Sequence, residues 1–307
     1  MAAFTLAACS GSGTAAAPEP PAWSAPTSAA KSTTKTLSRA TVSPVQQGRM
    51  PAQAILAVGP ALVAIDTEHA SVRKTLTQFP ARTSIAWLSV DRPHGRVFVG
   101  VTSGCDPGIN RMYVVPLGGG SRRRIAPAGN RASVSPDGTK IAYSVHTDGC
   151  GATAFVVQDL ASGRQQHFPG PGDTGVGGWT SDGKTLFLTS YGDNNIYRFG
   201  PIADGPSSDF SKPWDRGIAT DAGGRRVAIL DWCANDAVEC VVGVRTRSED
   251  NSGPDYTFGA MQGIESMSID ATGQWPLLVV DRQNEQVVFM FANGAWHELA
   301  HGNAADW

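Results

Sequence analysis

The chain has 307 residues, 41% of them hydrophobic, enough for one large core or two domains of ordinary size. Its 35 glycines and 20 prolines speak for many turns and against long helices. A formal charge of −2 gives no global basic field for nucleic acid or an anionic membrane. The single basic run, Arg122-Arg123-Arg124, reads as a solvated strand edge.

The chain opens with Leu6-Ala7-Ala8-Cys9, followed by Ser10-Gly11-Ser12-Gly13. This resembles the processing site of bacterial lipoproteins, which implies acylation of Cys9, a membrane attachment through lipid alone, and an extracytoplasmic address. Residues 1–9 then read as the remnant of a signal. The apolar run before Cys9 is shorter than the roughly 7–15 residues of a signal core, and a stray cysteine in an unstructured leader is the competing reading. Residues 10–50 are nearly all Ala, Ser, Thr, Pro, Gly, Lys and Gln. Such a stretch buries too little apolar surface to offset its ordering entropy, and it reads as a disordered tether ahead of a domain over 51–307. No stretch is long and apolar enough to span a bilayer as a helix.

Beyond the tether one phrase recurs. Ser135-Pro136-Asp137-Gly138 supplies a tight turn, and Lys140–Ser144 after it alternates like a half-buried strand. Related turns precede strand-like runs at Asp91–Gly95, Ser181–Gly183, Asp221–Gly224 and Asp270–Gly273. Their last glycines fall at 95, 138, 183, 224 and 273, a period of roughly 40–50 residues. In a second series, Gly120, Gly163, Gly205, Gly253 and Gly294 each stand five positions before Ile125, Phe168, Phe210, Phe258 or Leu299. The two series divide each unit into four strands, A to D, with A–B and C–D turns on one face and B–C and D–A loops on the other. About six units fit the chain beyond Pro51. The first shows B, C and D strands at Ile55–Val58, Ala61–Asp66 and Val72–Phe79. Its A strand is either part of residues 39–45 or missing, with the ring closing near His301.

The phrase Ser135–Ser144, the run Asn195-Ile196-Tyr197 and the turn Asp204-Gly205 resemble the repeats of TolB-like β-propellers. That resemblance implies an all-β, six-bladed propeller of four-stranded antiparallel blades. It also implies either a periplasmic interaction domain or an accessory domain of a peptidase. The turns Asp221–Gly224 and Asp270–Gly273 depart from the Ser-Pro-Asp-Gly pattern, and a tether stands where TolB carries a separate α/β domain.

Four cysteines, Cys105, Cys150, Cys233 and Cys240, fall in B–C loops. An even count in an extracytoplasmic setting indicates disulfides. Of the three connectivities, the repeat register favours Cys233 with Cys240 and Cys105 with Cys150. Zinc is the rival, weakened by the lack of a C-x-x-C pair. The loops clamped this way make a candidate binding face, lined by Asp106, Asp148, Asp193, Asn194, Asn195, Asp236, Asp281, Arg282 and Glu285. Each of these could equally be there to make a turn. Trp87 and Trp179, at matching A-strand positions, read as inter-blade packing.

His297-Glu298-Leu299-Ala300-His301 matches the zincin pattern, which needs a helix to bring both histidines to one metal. The Asn293-Gly294 hairpin signal before it favours a strand, in which the histidines stand roughly 13 Å apart. No nucleophile elbow or P-loop is present. His94 lies in a turn and is a poor catalytic candidate; His146, on the loop face, is a better one. The expectation is therefore a monomeric binding or scaffolding module of the cell envelope, engaging a protein or cell-wall ligand, with no catalytic residue, metal or cofactor. A hydrolase or lyase with its site in the central channel is the alternative.

Overall fold

A computed structural model describes residues 41–42, 49–103, 111–126, 130–146, 152–170, 174–190, 195–199, 206–207, 215–221, 226–231, 242–248, 255–283 and 285–307. All secondary structure among them is β, in six sheets, five of four strands and one of five. From the inner strand outward, blade 1 comprises Ala304–Asp306, Gln53–Val58, Ala61–Asp66 and Ser71–Gln78. Blade 2 runs through Thr83–Asp91, Arg96–Ser103, Arg111–Pro116 and Arg123–Ala126. Blade 3 is Asn130–Val134, Lys140–His146, Ala152–Asp159 and Gln165–Pro169. Blade 4 is Thr174–Trp179, Leu186–Ser190, Asn195–Phe199 and Pro206–Ser207. Blade 5 is Asp215–Thr220, Arg226–Asp231, Val242–Ser248 and Asp255–Met261, and blade 6 is Ile264–Ile269, Pro276–Arg282, Glu285–Ala292 and Ala295–His301. The inner strands touch one another in sequence, and Ala304–Asp306 touches those of blades 6 and 2, which closes the ring.

Two expectations are corrected here. The first blade does have an A strand, but it comes from the far end of the sequence: Ala304, Ala305 and Asp306 pair antiparallel with Ala57, Leu56 and Ile55. The alternative donor, within residues 39–45, goes elsewhere. Thr41–Val42 adds a fifth, parallel strand to blade 5, opposite Asp255 and Tyr256, so that sheet departs from the four-stranded pattern.

The strands follow a radial gradient of burial. The middle strands Pro276–Arg282 and Glu285–Ala292 have nearly continuous buried runs, because both faces of the sheet are covered by neighbouring blades. Outer strands such as Ser71–Gln78 are mostly exposed. The core is therefore a series of inter-blade layers. Ile55, Leu62, Val97 and Val115 pack between blades 1 and 2; Phe98, Met112, Ile141 and Val156 between blades 2 and 3. Phe155, Val157, Trp179 and Leu188 fill the next gap. Leu56, Trp275, Val288 and Trp307 seal blade 6 against blade 1.

Candidate functional site

The A–B turns are built on one buried polar rung. Asp91, Ser135, Thr180 and Asp270 close these turns, and Asp221 follows the inner strand of blade 5 at the matching place, each no more than 3% exposed. In blades 3 and 4 a hydroxyl and an aspartate share the work. Ser135 Oγ donates to Asp137 Oδ1 (2.6 Å) and accepts from Lys140 N (2.9 Å), while Asp137 accepts from Thr139 N (3.0 Å). Thr180 and Asp182 repeat this geometry. In blade 6 one aspartate at the first position does it all: Asp270 accepts from Thr272 N, Gln274 N and Trp275 N at 2.8–2.9 Å and from Thr272 Oγ1 at 2.6 Å. Asp-Ala-Thr-Gly is thus a rebuilt turn, with its acceptor moved two positions forward.

Turns of neighbouring blades also interlock. Asp91 accepts from His94 Nδ1 (2.7 Å) and Arg96 Nε (2.8 Å), and Arg96 continues to the Gly138 carbonyl of blade 3. A Cβ on Gly138 would stand 2.4 Å from the His94 ring. His94 is therefore a clamp between turns. Arg73 holds the Asp66 carboxyl of blade 1 well below the usual carboxylate range, helped by His69. The antiparallel strand order, with Leu117 N donating to the Gly95 carbonyl at 2.8 Å, places the A–B and C–D turns on a single side, the turn face.

The opposite, loop face shows only part of the expected site. Asp281, Arg282 and Glu285 sit together on the exposed hairpin between the B and C strands of blade 6. Arg282 lies over the Phe289 ring at 4.4 Å, and Glu285 meets His301 at 3.5 Å. Asn195 opens the C strand of blade 4. Asp106, Asp148, Asp193, Asn194 and Asp236 lie outside the described residues, as do Cys9, Cys105, Cys150, Cys233 and Cys240. His146 ends a B strand.

The segment His297–His301 is part of the strand Ala295–His301, as the hairpin signal indicates. His297 Nε2 meets the Ala292 carbonyl at 2.9 Å, and His301 Nε2 meets Glu298 Oε1 at 3.6 Å. Trp179 packs between blades and donates its indole N–H to the Ser133 carbonyl (3.0 Å). Trp87 packs against blade 3 as well, but on a different rung, opposite Gly100, where a Cβ would stand 2.1 Å from its Nε1. The two tryptophans do not occupy matching positions. Trp87 stands four residues before Asp91 and Trp179 one before Thr180, so the two sit on different faces of their blades.

The feature that sequence reasoning left unfilled is the central channel. It encloses about 440 Å³ and is lined by the inner strands of five or more blades, with Ser89, Ser133, Thr220 and Ser266 among its hydroxyls and Arg131, Glu265 and Asp306 as its charges. Asp306 accepts from Val90 N (2.7 Å) and Trp307 N (2.9 Å). Burial pushes its carboxyl up to about 6 in spite of these bonds. Among the described residues no three His, Cys, Asp or Glu side chains converge as a metal site.

No protein-family model matches the chain. A tricorn protease homolog from Streptomyces coelicolor is 30% identical over 130 residues, which covers 40% of this chain and only 12% of that protein. Among solved structures, TolB from Acinetobacter baumannii superimposes with a TM-score of 0.65 at 17% identity, over 85% of this chain and 67% of its own. A TolB homologue from Agrobacterium tumefaciens gives 0.56 at 15% identity, over 84% and 94%. The closed ring of sheets and these superpositions agree: the chain has the fold of a TolB-like β-propeller.

Proposed function

We propose that the protein is an exported, lipid-anchored propeller that works as a monomeric binding or scaffolding module in the cell envelope. Its loop face would engage an envelope protein or a cell-wall ligand. The observation that carries this reading is the inequality of the B–C connections. Blades 1 and 6 join their B and C strands through two-residue turns, Gly59-Pro60 and Gln283-Asn284, whereas blades 2 to 5 use residues 104–110, 147–151, 191–194 and 232–241. More residues thus separate the B and C strands in four neighbouring blades, and recognition commonly sits on loops held by a rigid scaffold. All four cysteines of the domain fall in these segments. Disulfides from Cys105 to Cys150 and from Cys233 to Cys240 would hold them, and acylated Cys9 with the tether would give the domain reach from the membrane.

Mass analysis of the exported protein tests the address: an acylated Cys9 and two disulfides are expected. Affinity capture from solubilised envelope tests the role. The wild type is expected to retain a specific partner that is lost when Asp106, Asp148 and Asp236, in the longer connections, are replaced by alanine. An unmodified, fully reduced protein, or capture indifferent to the loop face, would contradict the reading. The channel supports the second reading, an enzyme acting on a sugar or peptide-derived substrate, because it holds a carboxyl that titrates near 6.

A further inference from the structure

The inner strands share a feature that the repeat pattern does not reveal. In blade 2 the pairing skips from Ile85 to Trp87, in blade 3 from Ala132 to Asn130, and in blade 4 from Val176 to Gly178. Blade 5 skips from Arg216 to Ile218 and blade 6 from Ile264 to Ser266. Each skip is a β-bulge, with one residue left out of the ladder and the strand bent around it. The residues left out are Ala86, Arg131, Gly177, Gly217 and Glu265. Ala86, Arg131, Gly177 and Glu265 all line the channel.

Of the four that line the channel, Ala86 and Gly177 are small and leave it open there. The other two carry opposite charges. Inner strands touch in the order of blades 2, 3, 4, 5, 6 and 1. Blades 3 and 6 are therefore three steps apart in either direction, and Arg131 and Glu265 stand on opposite walls. Arg131 holds φ at 40°, a left-handed backbone that a bulge ordinarily gives to glycine. A strained residue kept where glycine would be relaxed points to a use for its side chain.

We infer that the channel binds a small zwitterion, an amino acid or short peptide with free ends, its carboxylate on the Arg131 guanidinium and its ammonium on Glu265. A guanidinium presents paired N–H donors that match a carboxylate, and the carboxylate of Glu265 is the matching partner for an ammonium. The Ser89, Ser133, Thr220 and Ser266 hydroxyls between them can bond a peptide unit of either polarity. A volume of about 440 Å³ lies within the range of small-molecule sites. This site is separate from the loop face and stands or falls independently of a partner there.

Calorimetric titration of the full chain with L-alanyl-L-alanine tests it, alongside the N-acetylated and C-amidated forms of the same dipeptide. The free dipeptide is expected to bind, and each blocked form to bind at least about tenfold more weakly. Glu265→Gln should weaken the free dipeptide to the level of its N-acetylated form. Arg131→Gly is the sharper variant, since it relieves the backbone while removing the guanidinium. It should raise the melting temperature and abolish binding. Equal binding of free and blocked dipeptides, no binding of any of them to the wild type, or undiminished binding by Arg131→Gly would each overturn the inference. Envelope capture by Arg131→Gly should match the wild type, which separates a failure here from a failure of the loop-face reading.

Discussion

The two faces of the ring use the same residue types for different ends. On the turn face, Asp91, Asp137 and Asp270 direct their carboxylates at backbone N–H groups or at the side chains of their own turn. On the loop face, the blade 6 hairpin carries Asp281, Arg282 and Glu285 out into solvent. An aspartate between two strands is thus buried within its turn in one place and exposed on the surface in the other. What separates them is the turn: a four-residue turn presents N–H groups that its own side chains reach, whereas the side chains flanking the two-residue hairpin of blade 6 are exposed.

Disturbing the ring itself should have the largest effect. Removing residues 304–307 takes away the inner strand of blade 1 and the Trp307 side chain that packs on Leu56 and Trp275. Blade 1 is then left with an open inner edge, and loss of the cooperative thermal transition is expected in calorimetry. Next comes Trp179→Ala, which empties a site 1% exposed and breaks the bond to Ser133. Chemical denaturation should show a loss of about 3–5 kcal/mol.

Asp306 gives a smaller, pH-dependent effect. Its carboxyl lies near 6 in the folded protein, above its ordinary value of 3.8, so the native state binds the proton more tightly across that window. The stability this group contributes is complete below about 3.8 and is lost as pH rises through about 6, roughly 3 kcal/mol in all. Asp306→Asn should flatten that part of the stability profile, measured by denaturation at pH 4, 5, 6 and 7. Asp66 works in the opposite sense. Its carboxyl is held low by Arg73, so its contribution is present above the ordinary carboxylate range and is lost on acidification. Smallest of all, alanine at Asp281, Arg282 and Glu285 together should change stability by less than about 1 kcal/mol.

The sequence made the repeat legible because proline, aspartate and glycine announce a turn, and the spacing of the turn glycines gave the period. It hid the ring closure because Ala304–Asp306 is three residues long and has no alternation to recognise. The rebuilt turn of blade 6 looks degenerate in sequence because the key acceptor, Asp270, sits at the first position instead of the third. Trp87 and Trp179 are alike only in residue type: they stand four residues before Asp91 and one before Thr180, with the bulge of each strand lying ahead of the tryptophan. A channel follows from the repeat, but its lining is not legible in the sequence. Arg131 and Glu265 lie 134 positions apart in sequence, and only the pairing of their strands shows that both stand at bulges.

The division of labour between the faces is tested most directly by denaturing Asp270→Ala beside the triple alanine variant of the blade 6 hairpin. Asp270→Ala should lower stability by about 2–4 kcal/mol, because three backbone N–H groups lose their acceptor in a turn that buries it. The hairpin variant should stay close to the wild type. Equal losses in the two proteins, or a larger loss from the hairpin, would contradict the separation of a structural face from a recognition face.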